Sequence, residues 1–186
     1  HSPYTKLSDE DRLLVWTDSH LVTESEMETI NTYANGIADT DKALGELLDY
    51  VDSREKPTAV IFFGDHHPLL EGYERLEHIN SNNIYDSLDN LATPYGIYTN
   101  FEVPGAQESE EPERMSAFYL LEYAAEYLGL PENTYMSFLE ECRENLPVYS
   151  SKIAVYGEDE ALGKQFENEL LTLSYDRYLG EGYPLS

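Results

Sequence analysis

Basic residues and cysteine are what this chain has least of. Eleven Lys and Arg stand against 37 Asp and Glu among 186 residues, a formal net charge of -26. So acidic a surface repels nucleic-acid phosphates and anionic lipid headgroups, which excludes nucleic acid as a partner; it favours solubility and attracts cations. The one cysteine, Cys142, has no second thiol to pair with, so no internal disulfide staples the fold. No base is readable beside it, and a core position is expected. No apolar run reaches the roughly 20 residues of a membrane-spanning helix, and no signal peptide opens the chain. An initiator methionine is missing as well, so the chain reads as a piece of a longer protein. Internal repeats and low-complexity tracts are absent.

What is present is ample for a core. Hydrophobic residues make up 41% of the chain, with 16 Tyr and 6 Phe, the composition of a folded protein rather than a tail. One domain over residues 1–186 is expected.

The chain is organised around Thr58-Ala59-Val60-Ile61-Phe62-Phe63-Gly64-Asp65-His66-His67-Pro68. An unbroken apolar, β-prone run is the pattern of a strand buried on both faces. Gly64 then lets the backbone turn, and an acid and two imidazoles leave the strand end together. Ligands of open α/β sheets gather just beyond such carboxyl ends. Carboxylate oxygen and neutral imidazole nitrogen suit Zn or Mn, although two ligands do not make a site. A plain polar turn with solvated His66 and His67 is the alternative.

Around this strand the periodicity predicts helices. Residues 24–51 carry Ile30, Tyr33, Ile37, Leu44, Leu48 and Val51 at three- and four-residue steps, with Thr23 or Ser25 as cap and Gly36 and Gly45 inside, where they would permit close packing. Asp39 and Asp41 belong to a solvated face. Pro94 to Tyr98 reads as a second strand ending in a turn at Thr99-Asn100. Met115 to Leu128 reads as a helix closed by Gly129 and Pro131, and Asn133 caps the next, which Pro147 stops. Lys152 to Tyr156 is a short strand, Glu158 to Leu173 the last helix, and the tail from Tyr175 to Tyr183 is aromatic. His78 has no ligand-type neighbour at useful spacing and reads as a surface imidazole.

Phe62-Phe63-Gly64-Asp65-His66 with Pro68 resembles the metal-binding strand end of the alkaline phosphatase/sulfatase superfamily, and more narrowly its lipoteichoic acid synthase and phosphoglycerol transferase branch. Further pieces fall in that family's order: His1-Ser2-Pro3-Tyr4, the helix through Tyr33 to Gly45, Thr93-Pro94-Tyr95-Gly96-Ile97-Tyr98-Thr99-Asn100, Leu128-Gly129-Leu130-Pro131, and Tyr175-Asp176 with Gly180 and Tyr183. The ordered set is far more specific than any one piece.

The resemblance implies the carboxyl-terminal part of an α/β sandwich, a mostly parallel sheet flanked by helices. It implies transfer of glycerophosphate from a phosphatidylglycerol-type lipid to an envelope polymer through a threonine-linked intermediate. Asp65 and His66 match the motif's ligands for a divalent ion, Mn²⁺ first, with Mg²⁺ or Zn²⁺ as alternatives. His1 matches the histidine set against the substrate's phosphate, and His67 is not expected to be a ligand. The nucleophile lies in the half of the domain before His1, and Thr17, Thr23 and Thr58 stand in no matching context. The missing half is thus the implied partner, the parent sits on the outer face of a bacterial membrane, and the chain alone is expected to be inactive. A sulfatase, a phosphoethanolamine transferase and a non-catalytic module of the same fold are the rival readings.

Overall fold

The structure, a computed structural model, describes residues 12, 14, 20–68, 70, 88–104 and 113–180. His1 to Tyr4, Thr17, His78 and Tyr183 lie outside the described residues. The contacts form two compact units, the first ending at Phe101 and the second beginning at Glu102.

The first unit opens with helix α1 (Glu24–Asp52). Thr23 caps it: its Oγ1 accepts from the Glu26 N–H at 3.3 Å, and the Glu26 carboxylate accepts from the Thr23 N–H at 2.7 Å. This reciprocal box satisfies donors that the first turn cannot, and such a cap contributes about 1 kcal/mol. Ile30, Asn35 and Val51 are the buried positions, Asp41 is exposed and Asp39 half-buried. Gly45 does not serve close packing, because a methyl group there would meet nothing within 4 Å.

The apolar run forms strand β1 (Ala59–Phe63), which pairs with β2 (Tyr95–Thr99) with Ile61 opposite Ile97. The α/β class stands, but among the described residues this pairing is antiparallel, not parallel. After the connection through residues 64–94 the chain re-enters beside β1 running the other way, and bonds beyond both strand ends hold it there. Gly64 N–H donates to the Pro94 carbonyl at 2.9 Å, and Asn100 N–H to that of Thr58 at 3.2 Å. Burial on both faces is also not what β1 shows. Phe62 is 37% and Phe63 59% exposed, and because neighbouring side chains point to opposite faces, both faces are open at this end. The Phe62 ring lies across Gly96, its register partner, where a methyl group would collide with it. A short helix, α2 (Leu88–Leu91), precedes β2.

Asn100 ties the end of β2 to the end of α1. Its amide nitrogen lies 2.9, 3.1 and 3.2 Å from the carbonyls of Val51, Arg54 and Lys56, and its Oδ1 accepts from Thr58 N–H at 2.8 Å. The Tyr98 hydroxyl adds a bond to the Asp52 carboxylate at 2.7 Å, which raises the phenol's pKa because losing its proton would set two anions together.

In the second unit a 3₁₀ turn (Ala117–Tyr119) runs into α3 (Leu120–Tyr127). Gly129 closes it with φ of 63°, donating to Glu126, while Leu130 N–H reaches back to Ala125 at 2.9 Å. Asn133 caps α4 (Thr134–Asn145) by accepting from the N–H groups of Tyr135 and Met136. A small antiparallel pair, β3 (Val148–Tyr149) and β4 (Ala154–Val155), leads to α5 (Glu160–Leu179), capped by Asp159. That helix runs on past Leu173 into the aromatic tail, since no breaker intervenes before Gly180.

The core of this unit is Tyr119, Leu139, Cys142, Leu146, Phe166 and Leu170. Tyr119 is fully buried and satisfies its hydroxyl by donating to the Leu146 carbonyl at 3.1 Å. Cys142 is fully buried too, and burial, with help from Glu169 and Glu141, pushes its thiol up to about 12. It is a packing residue, as expected. At the edge of this core Arg143 binds Glu122 through Nε at 3.0 Å, Glu113 at 2.6 Å, and Glu126. Burial opposes its charge, but the hydrogen bonds to Glu122 and Glu113 outweigh that and raise its pKa. Glu122 is 2% exposed, so this guanidinium is what makes a buried carboxylate tolerable.

Candidate functional site

Gly64 begins the site, at the end of β1. Its carbonyl accepts from Thr93 Oγ1 at 2.8 Å, and a side chain on it would press on Thr93 Cβ at 2.9 Å. Absence of a Cβ is therefore what allows the strand end to lie against residues 93–94. Asp65 and His66 follow, with side chains 69% and 59% exposed.

These two side chains are mutually ordered. The Asp65 Oδ1 accepts from the His66 N–H at 2.9 Å, and Oδ2 lies 3.4 Å from His66 Nε2. On the other edge of the ring, Nδ1 lies 2.9 Å from the His67 carbonyl oxygen. A carbonyl oxygen can only accept, so Nδ1 carries a ring proton and Nε2 is the nitrogen turned toward Asp65. A carboxylate oxygen and an imidazole nitrogen, both metal-ligating atom types, therefore stand side by side at the strand end. Two ligands each about 2.1 Å from one ion and a tetrahedral angle apart would be separated by about 3.4 Å. The donor chemistry and the spacing thus fit a divalent cation.

His67 is half-buried, and its Nε2–H is directed to the Ala92 carbonyl. That hydrogen bond engages one ring nitrogen and fastens the strand end to residue 92. Among the described residues no group of three or more His, Cys, Asp or Glu side chains comes together. His1 lies outside the described residues, so its distance from Asp65 and His66 is not defined. Two of the chain's threonines have structural duties here: Thr23 caps α1, and Thr58 Oγ1 donates to the Lys56 carbonyl at 2.9 Å. The contributions of Thr93 and Ala92 were not singled out by residue type. Both are backbone-centred contacts across 25 to 29 residues, which local patterns do not record.

A family model described as Sulfatase matches residues 4–130. The chain belongs to the sulfatase family. Among solved structures it is similar to the Streptococcus pyogenes phosphoglycerol transferase GacH in complex with sn-glycerol-1-phosphate. The TM-score is 0.65 at 24% identity, over 87% of this chain and 38% of that one. At that identity the likeness is one of fold. Over 47 residues the chain is also 36% identical to a putative cyclic beta-1,2-glucan modification protein of Rhizobium meliloti (strain 1021), a match spanning 25% of this chain and 7% of that protein. The chain therefore spans well under half the length of the proteins it matches. No helix among the described residues is long and apolar enough to cross a membrane.

Proposed function

We propose that the chain supplies part of the active site of a metal-dependent phosphoglycerol transferase. Asp65 and His66 hold the divalent ion, Mn²⁺ in the first instance. The observation that carries this reading is the approach of Asp65 Oδ2 and His66 Nε2 to 3.4 Å at the strand end, with Nδ1 engaged on the far side of the ring. When bound, the ion lowers a hydroxyl nucleophile's pKa and offsets charge on phosphoryl oxygens. Asp65 contributes a negative charge to that centre, and His66 a neutral donor whose orientation the His67 carbonyl sets.

Two donors leave most of an ion's coordination shell open, so the site is completed by groups from the preceding half of the domain, which also brings the threonine nucleophile. The resemblance assigns His1 the role of contacting the phosphate of the substrate. The donor substrate is a phosphatidylglycerol-type lipid, the acceptor a glycerophosphate polymer or another envelope glycan, and the parent acts on the outer face of a bacterial membrane. The glucan modification protein matched over 47 residues makes a glucan acceptor the second reading.

The test uses the longer polypeptide that includes the preceding half, incubated with phosphatidylglycerol vesicles and Mn²⁺ while diacylglycerol release is followed. Release that Asp65→Ala and His66→Ala each abolish supports the proposal. Equal release by the variants, or comparable turnover by the 186-residue chain alone, overturns it.

A further inference from the structure

Among the described residues, strand β1 is paired along one edge, by β2. Gly64 N–H donates to the Pro94 carbonyl and Asn100 N–H to that of Thr58, so Gly64 and Thr58 are hydrogen-bonded positions of the antiparallel ladder. Such positions alternate with ones whose backbone groups point the other way. In the register that sets Ile61 opposite Ile97, Val60 and Phe62 therefore turn their N–H and C=O toward β2. Ala59, Ile61 and Phe63 turn theirs to the outer edge, as a row of donors and acceptors. Nothing on that edge discourages pairing. Ala59–Phe63 holds no charge, no proline and, in its register with β2, no bulge, although the chain as a whole carries -26. At the same end Phe62 and Phe63 stand exposed on opposite faces of the sheet. A small ligand covers one face, whereas an added strand with its own side chains covers both and satisfies the edge.

We infer that the outer edge of β1 is a docking surface for one more strand, supplied by the preceding half of the domain. The backbone of that strand pairs with Ala59, Ile61 and Phe63, and its flanking side chains cover Phe62 and Phe63. This docking presupposes the reading in which the same half completes the active site. The phosphoglycerol transferase of similar fold is long enough to hold such a strand outside the matched part, since this chain covers 38% of it. A second copy is the poorer occupant, because apposing two edges would bring together two bodies of charge -26 each. The position also suits the site. Paired strands lie about 4.8 Å apart, so the end of a strand seated against Phe63 stands beside Asp65 and His66, where further donors are needed.

Residue-resolved amide hydrogen exchange tests this in the 186-residue chain and in the longer polypeptide that includes the preceding half. In the chain alone the amides of Ala59, Ile61 and Phe63 should exchange freely, while those of Val60 and Phe62, bonded to β2, are slowed. In the longer polypeptide the three outer amides should slow by at least about 100-fold, as in a strand inside a sheet. Outer amides that stay fast there while Val60 and Phe62 are slow would overturn the docking. Outer amides already slow in the dilute chain alone would overturn it too, because the edge would then be covered from within the chain. Slowing that grows with chain concentration would give the edge to a second copy and equally overturn it. Phe63→Ala should lower the thermal midpoint of the longer polypeptide by more than that of the chain alone, and equal shifts would count against the docking. Diacylglycerol release by the longer polypeptide separates the two readings. Protected outer amides without release would sink the transferase reading and leave the docking in place; release with unprotected outer amides would do the reverse.

Discussion

Asn100 offers a sharp test of how the first unit is held together. Replacing it with alanine removes an amide that donates to the carbonyls of Val51, Arg54 and Lys56 and accepts from Thr58 N–H, at distances of 2.8 to 3.2 Å. The amide has two hydrogens for three carbonyls, so one bond is shared, and the side chain makes about three bonds' worth of contact. A net contribution of about 1 kcal/mol per bond, reduced because Arg54 and Lys56 can turn to water, gives a loss of about 2 kcal/mol. Asn100→Asp should cost more than Asn100→Ala near neutral pH, since it keeps the acceptor for Thr58 but sets a carboxylate against the three carbonyls. Urea unfolding followed by far-UV circular dichroism measures both, and amide hydrogen exchange at Thr58 reports the local bond. An Asn100→Ala loss below about 0.5 kcal/mol with unchanged Thr58 protection would show that these bonds do not hold β2 to the end of α1.

Three further outcomes follow from particular groups. Gly45→Ala should stabilise the chain by about 1 kcal/mol in the same unfolding assay, because a methyl group there meets nothing and alanine is the better helix former; a loss would show that the site is crowded. Arg143→Leu should cost about 3–5 kcal/mol by leaving Glu122 buried and unpaired, and Glu122→Gln in the same chain should recover part of it. Alkaline pH should destabilise the fold through Cys142. Its thiol is held at about 12 in the fold against 9.0 when free, so the unfolded chain loses its proton first. That stabilisation is whole below pH about 9 and declines by up to about 1.4 kcal/mol per pH unit until about 12. Denaturant midpoints across that range should fall less steeply for Cys142→Ala, and equal slopes would contradict the assignment.

Much of the fold was legible because its signals are local. Thr23 before α1, Asn133 before α4 and Gly129 after α3 each act within a few residues, and the structure uses all of them. The candidate pair was legible for the same reason: Asp65 and His66 are adjacent and follow an apolar run. The direction of β2 was not, since it depends on a pairing across residues 64–94 that no periodicity encodes. Nor was the exposure of Phe62 and Phe63, since an apolar run carries no record of which neighbours are within reach. Asn100 could be read as a turn former, but its bonds to Thr58 and Val51 span 42 and 49 residues. The burial of Glu122 with Arg143 was hidden by the same distance, because charged residues read as solvated until their partner is known.

Asp65 and His66 are proposed to bind one divalent cation together. Titration of the chain with Mn²⁺ beside the double variant Asp65→Ala, His66→Ala tests it most directly. Measurable binding is expected in the parent chain, weak because only two donors are in place, with its loss in the variant. Identical binding by both proteins would assign the ion to the acidic surface and rule out the pair as its site.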